Sequence, residues 1–520
     1  MKKKALKLLA CVSCTMLLAV VAVGCSGSKA VTIVVPQGAD TAVAEPLRTA
    51  LSGVGVKVKV VDDNTAISSG TEILLGLTNR EASARAAAGV REKDFAVGFS
   101  PKAITIQGGT DENLQKAVAY FIEHYVGAYK TNHGFPTEPA ENYTEYGLYP
   151  IRYLKLDGND IFRYVIVTPN GEATPAAALL QKIIQQAAGY QLEIVAPGQV
   201  QEDDCAIIFG SAKARQAEAL SAALQDHQYL ILAEDKSLYF CAGDTEQEIV
   251  GVEMFLIKHL QYSYAYNKAE NARIELDGLN FRFTTAFDGS DGYDVVLSKV
   301  LSIPVTGPYN VLQGGCSDGT YAYYILEDQT LKSGNCVILK YNMSDWSLVA
   351  QSGPLPLDHG NSICYNSKTN QLAVSHTKPN KSLMSYVDPD KLTLIDKVDV
   401  GFNFYSVSYN EKLNQYIFCM SGQVAVFTDE NLKILNKLTG VSLGLGSMQN
   451  YHTTEDNIFI VNCWENRIGV ATYEGNVLTE IPIPISTELE SLINVGDTFY
   501  TGYFNTGGDV YQTLFYKTIS

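Results

Sequence analysis

Hydrophobic and polar positions divide the chain into three stretches. Leu8 to Val23 carries no charge and follows a basic start, Met1-Lys2-Lys3-Lys4. From Val31 to about residue 285, short apolar runs alternate with segments whose apolar residues recur every three or four positions, the pattern of strands and amphipathic helices. Val31 to Val35 predicts a strand ending at Pro36-Gln37-Gly38, and Leu47, Ala50, Leu51 and Val54 follow at helical spacing. Phe95 to Gly98 and Ala103 to Ile106 predict a hairpin around Ser100-Pro101-Lys102. A helix is expected from Thr110 or Asp111 to a stop at Gly127, with Leu114, Val118, Phe121 and Val126 laid on a sheet. The polar stretch Lys130 to Glu145 is the longest candidate loop. From about Asp294 the pattern becomes short strands, frequent turns and no convincing helix.

The middle stretch repeats itself at one constant offset. Gly55-Val56-Lys57-Val58-Lys59-Val60-Val61 falls on Gly189-Tyr190-Gln191-Leu192-Glu193-Ile194-Val195, and Ile73-Leu74-Leu75-Gly76 on Ile207-Ile208-Phe209-Gly210. Phe95 to Val126 then falls on Tyr229 to Leu260 without a gap, so each copy is expected to be one folding unit. Leu156-Asp157-Gly158 and Leu276-Asp277-Gly278 recur as tails, read as turns linking one unit to the next. In the last stretch, Tyr365-Asn366-Ser367-Lys368-Thr369-Asn370-Gln371 returns as Tyr409-Asn410-Glu411-Lys412-Leu413-Asn414-Gln415, with a weaker echo from Tyr451 to Asn457. That spacing lies in the 40–45 residues of a propeller blade. The expected fold is α/β plus all-β: two duplicated α/β sandwich domains (31–150 and 151–285), then a small β-propeller of about five blades (286–520). Val295 to Ile303, ahead of the first blade, is the candidate closing strand.

A basic start, a short apolar core and Ala22-Val23-Gly24-Cys25 make a secretory signal (1–24) too short to span a bilayer. The small residues before Cys25 resemble the lipobox of bacterial lipoproteins. That resemblance implies a lipid on Cys25, a tether over 25–30 and a place on the extracytoplasmic face of the cell membrane. Loss of Lys2, Lys3, Lys4 and Lys7 would make the net charge of −17 more negative still, which argues against nucleic-acid partners. Cys11 and Cys14 fall in the signal. The remaining cysteines (205, 241, 316, 336, 364, 419 and 463) are odd in number with apolar neighbours, and read as buried thiols rather than a disulfide framework.

Two further resemblances bear on function. Thr71-Glu72-Ile73-Leu74-Leu75-Gly76-Leu77-Thr78-Asn79-Arg80, followed by Asp94-Phe95-Ala96-Val97 and Ile104-Thr105-Ile106-Gln107-Gly108-Gly109, is similar to the non-catalytic N-terminal α/β domain of β-hexosaminidases and α-glucuronidases. The resemblance implies a carbohydrate-related setting and brings no catalytic residue, and no length remains for the barrel that carries catalysis in those enzymes. Gln313-Gly314-Gly315-Cys316 and His359-Gly360-Asn361-Ser362 open two blades in the manner of secreted bacterial propellers of the lactonase-like and surface-repeat kind.

Inner strands of a propeller start around one mouth of its channel. The repeat register puts Gln313, His359, Asn361, Tyr405, Gln449, Asn450 and Glu490 there, a mixture suited to a small-molecule or sugar pocket and equally to a hydrogen-bonded brace. His359 and Glu490 are the residue types of a base and acid pair. Gly440-Val441-Ser442-Leu443-Gly444 matches a nucleophile elbow by letter only, because another strand and not a helix follows. Asp288, Asp291 and Asp294 are oxygen donors for calcium, though their spacing is that of an acidic turn rather than an EF-hand. His124 and His259 fall in terminal helices. No catalytic set and no cofactor is expected. The leading expectation is a non-enzymatic surface protein that binds glycan or cell wall with its propeller face. An extracellular hydrolase or lyase working in the mouth, and a scaffold for an envelope protein, are the alternatives.

Overall fold

The computed structural model describes residues 30–132, 134–138, 141–262, 272–330, 333–420, 424–441 and 448–519. The signal segment, Cys25 and the loop from Ser442 to Gly444 lie outside the described residues. Among those described, no helix is long and apolar enough to cross a membrane. The chain divides into two compact units between Gly147 and Leu148.

The first unit is a six-stranded sheet with helices. Its elements in chain order are β1 (Val31–Val35), α1 (Glu45–Gly53), β2 (Val58–Asp62), β3 (Glu72–Leu75), α2 (Glu81–Ala88), β4 (Phe95–Phe99), β5 (Ala103–Gly108), α3 (Asp111–Phe121), α4 (Tyr129–Asn132) and β6 (Tyr143–Glu145). The strand order is β2-β1-β3-β5-β4-β6. β1 runs parallel to β2 and β3, and β3 to β5, while β4 is antiparallel to both neighbours. Leu47 and Leu51 of α1 and Ala117, Val118 and Phe121 of α3 share one core with Ile33, Ile73, Val97 and Ile106. Thr110 caps α3 by accepting from the Asn113 N–H, and Asp111 and Glu112 place negative charge at the positive end of the helix. Gly109 is required by a close approach, since a Cβ there would lie 1.9 Å from the Arg91 carbonyl oxygen. That turn is also fixed by Arg91 Nε and Asp94 Oδ2, 2.6 Å apart with both side chains fully buried. The expected loop 130–145 thus contains an edge strand that its polar sequence conceals.

The second unit opens with β7 (Ile151–Leu156), β8 (Asn159–Asp160), β9 (Tyr164–Val167), α5 (Pro175–Ala188), β10 (Ile194–Val195), β11 (Cys205–Phe209), α6 (Ala217–Ala222), β12 (Gln228–Glu234), β13 (Ser237–Ala242), α7 (Thr245–Lys258), β14 (Ala272–Leu276) and β15 (Asn280–Thr284). Its sheet order, β10-β9-β11-β13-β12-β15, repeats that of the first unit position for position. The two Leu-Asp-Gly tails do not lead from one unit to the next. β7 and β14 pair in parallel, and Asp157 accepts from the Gly278 N–H, so the tails lie side by side within the second unit.

Four four-stranded antiparallel sheets follow in a propeller-like ring, closed by a fifth blade whose strands belong to the sheet that carries β15. The first strands of the blades are Tyr309–Ser317, Ser362–Asn366, Ser406–Asn410, Met448–Thr453 and Leu489–Val495, each next to the following one and the last next to the first. The fifth blade takes its outermost strand from Asp294–Ile303, which pairs antiparallel with Gly508–Thr518. The repeated Tyr-Asn motif has a local cause. Tyr365 donates to Asn370 (2.9 Å) and Tyr409 to Asn414 (2.6 Å), locking the turns after the first strands of two blades. Asn370 and Asn414 both have φ +52°, a conformation that asparagine tolerates well.

A domain boundary was expected at 285/286, and one sheet joins the segments on either side of it. β15 pairs with β12 on one side and, through Phe283 and Thr284, with Thr518 and Lys517 on the other. α7 is buried between its own sheet and the fifth blade. Lys258 donates to the Tyr516 hydroxyl (3.1 Å), and Gln247 to Asp497 (3.0 Å). All seven cysteines in the described residues are buried and free.

Candidate functional site

The first strands of the ring begin at one face, where the loops entering each blade and the loops between second and third strands also lie. Six of the seven expected mouth residues meet there in one hydrogen-bonded layer. Asn361 Nδ2 donates to the carbonyls of Tyr405 (3.1 Å) and Gln449 (3.3 Å), which belong to two other blades. Gln449 Nε2 donates to the Gln313 carbonyl (3.4 Å) and to the Glu490 carboxyl, and Asn450 Nδ2 to the Glu490 carbonyl (3.0 Å). His359 stands beside this layer. Its Nδ1 lies 2.7 Å from Glu327 Oε1, in ion-pair contact but off hydrogen-bond alignment.

Electrostatics single out Glu490. Burial pushes its carboxyl well above the usual range, and the neighbouring Glu488 and then Glu327 push it further, because nearby like charge disfavours its ionised form. Of the group, Glu490 is the one whose environment favours the acid form, and Glu488 beside it is exposed. The Cys463 thiol is raised to about 12 by burial and then by Glu490 and Glu488, which places the start of the Cys463-to-Asn466 loop at the same mouth. Trp464, next in that loop, is 70% exposed, and Tyr405 is 37% exposed. The mouth thus combines amides, a buried carboxyl with an exposed one beside it, an imidazole beside a carboxylate and two exposed aromatic residues.

Glu327, Glu488 and Trp464 were not singled out from the sequence. They come from a strand end, a blade-entry loop and a hairpin of three different blades, and no repeated letter marks them. A further set escaped notice because it is scattered: His376 Nδ1 lies 2.6 Å from Asp358 Oδ2, and its Nε2 lies 2.7 Å from Ser385 Oγ. The line has the order of a catalytic triad, yet Ser385 and His376 are both 0% exposed. No substrate carbonyl reaches such a serine, and the three residues brace the second blade instead.

Beyond the amide layer the channel widens into a cavity of about 470 Å³. It opens at the opposite face, since its lining ends in the exposed residues Gly319, Glu411, Glu455 and Gly496 of the turns that follow the first strands. Of the expected mouth residues only Asn450 lines it. His452 Nε2 lies 2.8 Å from Asn494 Oδ1 across two blades, and burial pushes this imidazole down to about 4, so it is neutral at ordinary pH.

Asp288 accepts from the Ser290 N–H (3.0 Å) and the Tyr293 hydroxyl (3.0 Å), and Asp294 from Tyr516 (3.2 Å). These aspartates are held by protein donors. No group of three or more acidic, His or Cys side chains among the described residues could hold a metal ion. His124 is exposed and stacked on Tyr120, and His259 sits among Phe255 and Phe281.

The chain matches no protein-family model and no curated protein. Among solved structures it is similar to the glutaminyl cyclase of Myxococcus xanthus at 9% identity and TM-score 0.34, over 44% of this chain and 100% of that one. A nidogen/laminin complex overlays 41% of this chain and 86% of its own at 9% identity and TM-score 0.30. A streptogramin B lyase overlays 43% and 74% at 15% identity and TM-score 0.26. Each of the three overlays less than half of the chain.

Proposed function

We propose that this chain is an extracytoplasmic lipoprotein, held to the cell membrane through Cys25, that binds glycan at the amide-layered mouth of a five-bladed propeller. The two sheets of like strand order are then duplicates of one α/β domain, of the type that precedes the catalytic barrel in β-hexosaminidases. The observation that carries the reading is the composition of the mouth. Amides and carboxyls offer both donors and acceptors, and the exposed Trp464 and Tyr405 offer aromatic rings. Sugars present hydroxyls around an apolar ring face, so such a mixture suits them. The test is calorimetry of the detergent-solubilised full chain against peptidoglycan fragments and an oligosaccharide panel, with products followed by mass spectrometry. Saturable binding without product is expected, weakened at least tenfold in Trp464→Ala. Absence of binding across the panel would sink the glycan reading and favour a protein partner.

A second reading rests on a specific observation. Burial favours the acid form of Glu490, and a His359–Glu327 pair stands at the same mouth; an acid and a base together are the requirement for hydrolysis or elimination. Product formation that disappears in Glu490→Gln while binding persists would establish that reading and displace the first.

A further inference from the structure

The cavity at the opposite end of the channel has a different chemistry, independent of the mouth. Its lining contains no lysine or arginine, while Asp318, Glu411 and Glu455 stand at its rim on turns of three blades. Two of these carboxylates are already engaged. Asp318 accepts from the N–H groups of Thr320 and Tyr321 and from the Tyr323 hydroxyl, and Glu455 lies 3.4 Å from Lys412 Nζ. The carboxylate of Glu411 has neither a hydrogen bond nor an ion pair among the described residues. Its charge reaches inward. Tyr409 is raised by burial and next by Glu411, and Tyr365 by burial and next by Asp318 and Glu411. At the floor, Asn450 is 5% exposed and spends its Nδ2 on the Glu490 carbonyl, leaving its buried amide oxygen without a partner. An acceptor without a partner thus stands exposed at the rim, and another lies buried at the floor. About five residues of extended strand, roughly 15 Å, lie between those two levels, with tyrosines on the way.

We propose that this cavity binds a linear organic cation, a di- or triamine, with one ammonium at Glu411, its chain along Tyr365 and Tyr409, and its inner N–H donors toward Asn450. An anion finds no cationic residue in the lining. A metal ion finds no converging ligand set, because the rim carboxylates are spread over separate turns. A flexible chain with a charge at each end reaches both acceptors, and phenol rings favour cations passing over their faces. The net charge of −17 draws such a ligand in from a distance.

The test is titration of the full chain with spermidine at low salt, beside 1,8-octanediol as an uncharged chain of equal length. Saturable spermidine binding is expected, weakening as salt rises and falling at least tenfold in Glu411→Gln. Glu218→Gln, an exposed carboxylate on α6, should leave it unchanged. Glu411 is on the surface, so its variant folds. Failure of spermidine to saturate at millimolar concentration, equal binding of octanediol, or an unaltered affinity in Glu411→Gln overturns the proposal. None of these results bears on glycan binding at the other mouth, which Trp464→Ala reports separately.

Discussion

Glu253 sits on α7 against the fifth blade, with the Thr498 hydroxyl 3.1 Å from its Oε2 and no ion pair among the described residues to offset its charge. Burial pushes its carboxyl up to about 7. The folded state therefore holds a proton that the unfolded chain releases near 4.5. This makes the group's contribution to stability complete below pH 4.5 and lost as pH rises through 7. Glu253→Gln keeps the shape and removes the charge. It is expected to raise stability at pH 8 by about 2 kcal/mol and to flatten the fall between pH 4.5 and 7, read by urea unfolding across that range. Arg91 and Asp94 show the opposite case, a fully buried pair in which each charge is answered by the other. What the letters disclosed at this scale was local. The Tyr365 and Tyr409 repeats were legible because each tyrosine binds an asparagine five residues on. Glu327 was not, because its partnership with Glu490 exists only once the first and fifth blades have come round the ring, and Glu488, though two residues from Glu490, carries no repeated pattern to mark it.

Among elements, the strand Asp294–Ile303 is the one whose removal is most instructive. It lies ahead of the first blade in sequence but completes the fifth, pairing along Gly508–Thr518 from end to end. Its Val295 joins the core of Phe459, Phe499 and Phe515, and its Val300 and Ile303 join that of Leu312 and Val510. Replacing Val295, Val300 and Ile303 together by serine is expected to abolish cooperative unfolding of the ring, whereas three serines on the exposed outer strand Ile434–Thr439 should cost little. Near-ultraviolet circular dichroism during heating distinguishes the two. Its apolar run ahead of the first blade made this strand visible in advance, and two short runs around Ser100-Pro101-Lys102 did the same for the hairpin now seen at Phe95–Phe99 and Ala103–Gly108. β6 escaped because three residues on a sheet edge, half exposed, carry no period to read.

For the whole molecule, the decisive feature is the continuity of β12, β15 and Gly508–Thr518. No pattern in the sequence announces that a strand near residue 280 pairs with one near 518, since nothing local depends on it. One consequence is testable by dissection. A fragment from Leu148 to the C-terminus is expected to fold and melt in one transition, while fragments cut at 285/286 should expose the edge of β15 and aggregate, as light scattering would show. A second consequence concerns time. A ribosome makes this chain from the N-terminus, and a secretion channel would deliver it in the same direction, so β15 and Asp294–Ile303 emerge more than two hundred residues before the strand that joins them. Both must wait with open edges until Gly508–Thr518 appears. Gly508–Thr518 is then the fastener of two structures at once, and a nonsense codon placed ahead of it would leave neither the ring nor the sheet beside it shut.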